Sequence, residues 1–316
     1  MTVPATLDTV AVIGNGLIGH GMAQTFAAAG QQVVMIGRND DSLAAALDKI
    51  AKSLAQFEAH GLLTAQEAKA ALARIRISTK LEDAAPAQLV CEALPANKAL
   101  QDEIYGKLDA ICAPPAVFAS GSGQPASDLV GNVKHRGRVV AAHFWYPPQL
   151  IPLVEVCAGP ETDPDVAPWV CDALRAAGKE PVIIDKEIPG FLGNRFQYAI
   201  LREAWALWAE GVASAEAIDA VVKASIGRRL AITGPIESAD AGGLDTLHAY
   251  GVYLIPHLHA GDQPAQSVTD LVEQGHRGLP SGKGIYDWSK RDGAALLAER
   301  EEELFRHLAR DKAKRD

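Results

Sequence analysis

Apolar positions in the first part of the chain follow two alternating rhythms. Short unbroken apolar runs at residues 9–13 and 32–36, bounded by glycine or polar residues, read as strands buried on both faces. Between and after them the spacing widens to three and four. Residues 41–60 carry Leu43, Leu47, Ile50, Leu54 and Phe57 on one face and stop at Gly61, which predicts a helix. Thr64 followed by Glu67 is a capping-box signature for another helix, ending before a short strand at 75–78. Further strands are predicted at 88–92, 116–120, 139–143, 153–156 and 181–184, with helices at 97–108 and 164–177.

This alternation implies an α/β fold with a doubly wound, mainly parallel sheet. Beyond Asp185 the strand signals stop and helical spacing takes over, at 191–210, 214–225, 245–257 and 293–310. The expected organisation is a sheet domain over residues 1–187 followed by an all-α domain over 188–316. The apolar face formed by Phe191, Ala199, Ile200, Ala204 and Trp208 reads equally as internal core or as a dimer seam. The aromatic run Trp145 and Tyr146 with Trp205 and Trp208 reads as core packing sooner than as a stacking platform.

Composition narrows the function classes. A length of 316 residues with 48% hydrophobic content suits two domains, and a net charge of −9 argues against a nucleic-acid partner. The N-terminus lacks a basic segment followed by an apolar one, and no apolar run reaches the length of a membrane span. Cys91, Cys112, Cys157 and Cys171 show no C-x-x-C spacing and lie in apolar stretches, so reduced thiols in a cytoplasmic protein are expected. The pair His257 and His259 lies two residues apart, off a common helix face and without an acidic or cysteine companion, so no metal site is expected.

The strongest chemical signal is Gly14-Asn15-Gly16-Leu17-Ile18-Gly19, directly between a strand and a helix. Gly14 permits a tight turn, Gly16 lets backbone approach a pyrophosphate, and Gly19 lets the helix pack closely. The amides around Leu17 and Ile18 open a helix whose positive end suits phosphate. A dinucleotide-binding Rossmann domain is the functional reading, and a merely structural turn the bland one. At the end of the second strand, where NAD-binding chains place a carboxylate for the ribose, this one reads Ile36-Gly37-Arg38-Asn39. Without a carboxylate and with a guanidinium at hand, NADP is favoured over NAD, unless Arg38 only stacks on adenine.

His143 closes a strand at the carboxyl edge where such sheets bind ligands. Glu155, twelve residues on, lies inside the apolar run Ile151-Pro152-Leu153-Val154-Glu155-Val156-Cys157. A carboxylate buried there needs a partner, and an imidazole would supply one. From the residues alone, a satisfied core pair and a catalytic dyad are both open.

Taken together, VAVIGNGLIGHGMAQTFAAAG, HFWYPPQLIPLVEV, GFLGNRFQYAILREAW, TGPIESADAGGLDT and SGKGIYDW resemble the 3-hydroxyacyl-CoA dehydrogenase family across essentially the whole chain. The resemblance is strongest to the branch acting on free hydroxy acids, which includes L-gulonate 3-dehydrogenase (lambda-crystallin) and L-carnitine dehydrogenase. It implies a His143–Glu155 dyad, Ser122 and Asn194 lining the substrate oxygen, Asn97 near the cofactor, and a homodimer formed through the helical domain. The implied reaction is hydride transfer at the 3-hydroxy/3-oxo carbon of a hydroxy acid or hydroxyacyl substrate.

Four positions depart from the family pattern. Gly37 replaces an aspartate, Tyr146 replaces the asparagine of a His-x-x-Asn-Pro pattern, Ala96 replaces a glutamate and Gln101 replaces a lysine. The last two weaken the expectation of a CoA thioester, and Tyr146 alters the substrate pocket. Two other functions stay open: reduction of a C=N bond on the same scaffold, and a catalytically idle, crystallin-like nucleotide-binding protein.

Overall fold

The computed structural model describes residues 3–315. Its first part alternates strands with one or two helices: β1 (Thr9–Ile13), α1 (Gly19–Ala28), β2 (Gln32–Ile36), α2 (Asp40–Ala59), α3 (Ala65–Ala73) and β3 (Ile75–Ser78). There follow β4 (Leu89–Glu92), α4 (Lys98–Ile111), β5 (Val117–Ser120), β6 (Val139–Phe144), β7 (Leu153–Ala158), α5 (Val166–Ala176) and β8 (Glu180–Ile184). The strands form one sheet in the order β3-β2-β1-β4-β5-β6-β7-β8. Every neighbouring pair is parallel except β6 and β7, which run antiparallel. Strand order reverses between β1 and β4, and the carboxyl ends there form the crevice in which doubly wound sheets hold ligands.

Both faces of the central strands are covered, as the continuous apolar runs require, while the edge strand β8 leaves Val182 and Ile183 exposed. On β1, Val10 and Val12 join one cluster with Met22 and Phe26 of α1, Leu43 and Ile50 of α2, and Val170 of α5. Ala11 and Ile13 join the opposite cluster with Tyr105 and Leu108 of α4. Helix α2 starts at an Asn39 cap whose side chain accepts from Ser42 N, and α3 carries the Thr64–Glu67 capping box. All four cysteines are buried and free of disulfide bonds.

The remaining elements are helical: α6 (Phe191–Ala209), α7 (Ala215–Ala224), α8 (Ile226–Leu230), α9 (Pro235–Ala241), α10 (Leu244–Leu254), α11 (Gln266–Glu273) and α12 (Gly293–Arg315). The chain divides into two compact units, Met1–Leu192 with Arg300–Asp316, and Gly193–Glu299. The end of α12 is therefore grouped with the sheet unit, whereas the sequence pattern joined it to the helical domain. Phe305 explains this: it is buried with Leu62 and Leu150, edge-on to Phe57 and stacked on His60. No helix among the described residues is long and apolar enough to cross a membrane.

Candidate active site

Glycine determines the form of the turn after β1. Gly14 has φ +101°, and a Cβ there would stand 2.7 Å from the Ala93 carbonyl oxygen. At Gly19 a Cβ would strike the Gly14 carbonyl oxygen, so α1 starts hard against the turn, while Gly16 opens onto free space. No side chain caps the N-terminus of α1, and Leu17 is exposed in front of it. An uncapped helix start behind a glycine turn open at Gly16, beside the β1–β4 switch point, fits the pyrophosphate of a dinucleotide. The backbone of Gly14, Gly16, Leu17, Ile18 and Gly19 would hold it. Arg38 is exposed just beyond β2, at the ribose end of such a ligand. Asn97 caps α4, its side-chain oxygen accepting from Leu100 N at 3.1 Å.

Antiparallel pairing of β6 with β7 places His143 directly opposite Glu155. Their side chains meet, with His143 Nδ1 2.9 Å from Glu155 Oε2. The carboxylate is 2% exposed and the imidazole 12%. Trp145 Nε1 donates to the same Oε2 at 3.1 Å, and Leu192 N donates to Oε1 at 2.8 Å. A carboxylate so placed accepts the Nδ1 proton of His143, which leaves the lone pair of a neutral imidazole on Nε2. Phe191 stacks on the imidazole at 5.5 Å between centroids, held in the left-handed region at φ +49°. A bulky residue there is strained, and its full burial against His143 shows what the strain secures.

Sequence reasoning missed three of these contacts: Trp145, Phe191 and the Leu192 amide. Trp145 carried a signal, since it follows His143 by two positions, the spacing that returns an extended chain to the same side. The expectation of core packing fails for Tyr146, which is 52% exposed.

Ser122 belongs to a different cluster. Parallel pairing of β5 with β6 sets Ser120 level with Ala141, and Ser122 follows in the turn that leaves β5. Ser122 Oγ lies 2.8 Å from Ser120 Oγ, which donates to Glu92 Oε2 at 2.7 Å. Glu92 is 1% exposed at the end of β4, and Leu94 N donates to its other oxygen. Burial pushes this carboxyl above the ordinary glutamate range, against the hydrogen bonds from Ser120, Leu94 N and Tyr105. Gln101 is wholly buried on that side. A lysine in its place would set a cation against Glu92; the amide does not. Asn194 falls in the first turn of α6, in the other compact unit.

The arrangement can bind a dinucleotide at the turn and move a proton at His143. The model of the 3-hydroxyacyl-CoA dehydrogenase NAD binding domain matches residues 9–188, and that of the 3-hydroxyacyl-CoA dehydrogenase C-terminal domain matches residues 190–288. The chain is 32% identical over 300 residues to the 5-formyl-3-hydroxy-2-methylpyridine 4-carboxylate 5-dehydrogenase of Mesorhizobium japonicum, covering 94% of this chain and 96% of that protein. To the L-carnitine dehydrogenase of Streptomyces griseus it is 36% identical over 307 residues, 94% of this chain and 88% of that one. A solved 5-formyl-3-hydroxy-2-methylpyridine 4-carboxylic acid 5-dehydrogenase, described as an NAD+ dependent dismutase, superposes with TM-score 0.89 at 30% identity, over 97% of this chain and 99% of that one. With both domain models matched in order across most of its length, the chain belongs to the 3-hydroxyacyl-CoA dehydrogenase family of NAD-dependent oxidoreductases.

Proposed function

We propose that this protein interconverts the hydroxyl and carbonyl forms of a small 3-hydroxy acid or hydroxyacyl compound, with His143 moving the proton. The observation that carries the reading is the cross-strand His143–Glu155 pair, bonded through Nδ1 at 2.9 Å at the carboxyl end of β6. A bound nicotinamide cofactor would supply or take up the hydride. His143 Nε2 takes the substrate hydroxyl proton in oxidation and returns it in reduction. Glu155 holds the imidazole in the required tautomer and stabilises its charged form, and its hydrogen bonds from Trp145 and Leu192 N keep it oriented.

Ser122 and Asn194 are assigned as donors to the substrate oxygen. The cluster around Glu92 sets a condition on this role. While Ser120 gives its single proton to an ionised Glu92, Ser122 must turn its own proton inward and can only accept from outside. A protonated Glu92 reverses the relay and frees the Ser122 proton for the substrate. The raised pKa of Glu92 acts in that direction.

For the cofactor, NADP(H) is the proposed preference within an NAD-binding family. Gly37 leaves no carboxylate to repel a 2′-phosphate, and Arg38 is exposed one residue on, where its planar fork of donors suits that group. The protein is further proposed to work as a homodimer through its helical part. Tyr250, Val252, Tyr253 and Ile255 of the α10 region are all at least 60% exposed, an apolar surface suited to a second copy.

Turnover with NADH or NADPH, assayed with L-carnitine, L-3-hydroxybutyrate and 3-hydroxybutyryl-CoA and their oxo forms, tests the reaction. Cofactor-dependent conversion of at least one pair is expected. Tight cofactor binding with no turnover of these compounds, or of imines assayed beside them, would favour the idle, crystallin-like alternative.

A further inference from the structure

Gly37 is not required by its own backbone. Its φ lies outside the positive range that calls for glycine. The constraint is space: a Cβ at this position would stand 2.7 Å from Asn15 Oδ1 and 2.9 Å from both Cγ and Cδ2 of Leu43. Leu43 is fully buried in the core and has little room to retreat. Asn15 lies in the glycine turn, half-buried, and its amide end occupies the space that a side chain on residue 37 would fill. Turn and strand end are tied together by Gly14 N donating to Ile36 O at 2.8 Å. Glycine at 37 and asparagine at 15 are thus one arrangement.

That space has a chemical meaning in a doubly wound dinucleotide site. The residue ending β2 is the one whose side chain meets the adenosine ribose. We propose that Asn15 is the residue that contacts the 2′ position of that ribose, its amide replacing the missing side chain of residue 37. An amide offers an acceptor oxygen and two donor hydrogens, and a half-turn exchanges them. It can therefore meet a 2′-hydroxyl or a 2′-phosphate without the charge repulsion a carboxylate would bring. Arg38 adds charge for the phosphate, and Asn15 keeps the site open to both cofactors. This rests on the dinucleotide reading above and is independent of which cofactor is preferred.

The test is equilibrium binding, followed by quenching of tryptophan fluorescence, of NADH, NADPH and NADH lacking the adenosine 2′-hydroxyl. Asn15→Ala is expected to weaken NADH and NADPH by about threefold to tenfold and to leave the 2′-deoxy compound unchanged. Asn15→Asp is expected to weaken NADPH by about tenfold or more while retaining NADH, because it restores a carboxylate at the ribose. Asn15→Ser, with a side chain too short to reach, should follow the alanine variant and guards against a collapsed turn; melting without cofactor confirms the fold. The proposal is overturned if Asn15→Ala leaves all three affinities unchanged, if it weakens the 2′-deoxy compound as much as NADH, or if Asn15→Asp weakens NADH and NADPH alike. Failure of the NADP preference would show elsewhere, as wild-type binding that favours NADH.

Discussion

Phe118 on β5 and Tyr253 on α10 are large aromatic residues in regular elements, yet their surroundings are opposite. Phe118 is fully buried beneath the Arg138 guanidinium, 4.1 Å above its ring, while Tyr253 is 65% exposed. The contrast extends to their units. In the sheet unit even charged groups are buried with partners: Arg138 bonds to Asp109 at 2.7 Å, and Glu155 to His143. Among the described residues, α7 through α11 contain no buried side chain at all. A parallel sheet covered on both faces closes its own core. Helices with apolar residues left facing outward have core area to share, which the proposed second copy would cover.

If the chemistry belongs to the self-sufficient unit, His143→Gln should cut turnover by about a thousandfold, near 4 kcal/mol of transition-state stabilisation. Affinity for the cofactor should stay near wild type, because the glycine turn lies on another strand. Retention of a tenth of the activity would remove His143 from the proton-transfer role.

Stability probes sharpen the contrast itself. Phe118→Ala should cost about 3–5 kcal/mol, with a loss of melting temperature that does not depend on protein concentration. Tyr253→Ala should instead give a melting temperature that rises with concentration, as expected for a weakened dimer. Light scattering that finds a monomer at every concentration would abolish the explanation offered for the exposed helical surface.

A smaller effect is expected at the cofactor. Arg38→Ala should weaken NADPH by about tenfold to a hundredfold, or roughly 1.5–3 kcal/mol, and barely change NADH. Equal weakening of both would reduce Arg38 to a stacking residue. Gly37→Asp is a poor complementary test, since its Cβ would displace both Asn15 and Leu43.

The smallest effect concerns Glu92. Its pKa is raised in the fold, so the native state holds its proton longer than the unfolded chain. Stability from this group is therefore full below its ordinary value of 4.5 and is lost as pH rises through the raised value. Glu92→Gln should flatten that decline. Denaturant midpoints that fall with pH equally in both proteins would show that Glu92 ionises freely.

Much of the fold was legible because strong periodicity leaves few choices. The predicted bounds of β1, β2 and β3 coincide with those observed, and the Thr64–Glu67 box forms as the spacing implies. Three short helices escaped notice. Of these, α9 had left a signal in Pro235 at its first turn and Glu237 reaching back to Gly234 N. Too few turns for a periodic face explain the others.

The sequence by itself determined the strand and helix rhythm, the glycine turn that suits a dinucleotide, and the residue types able to move a proton. Those depend on short-range spacing and on what each side chain can do chemically. Only the tertiary structure decided that β6 and β7 pair antiparallel, which sets His143 opposite Glu155. It alone brought Trp145 and Leu192 N onto the same carboxylate, and Asn15 into the space at Gly37. Each of these contacts joins separate elements, and a linear pattern records neither the pairing direction of two strands nor the room left between two loops.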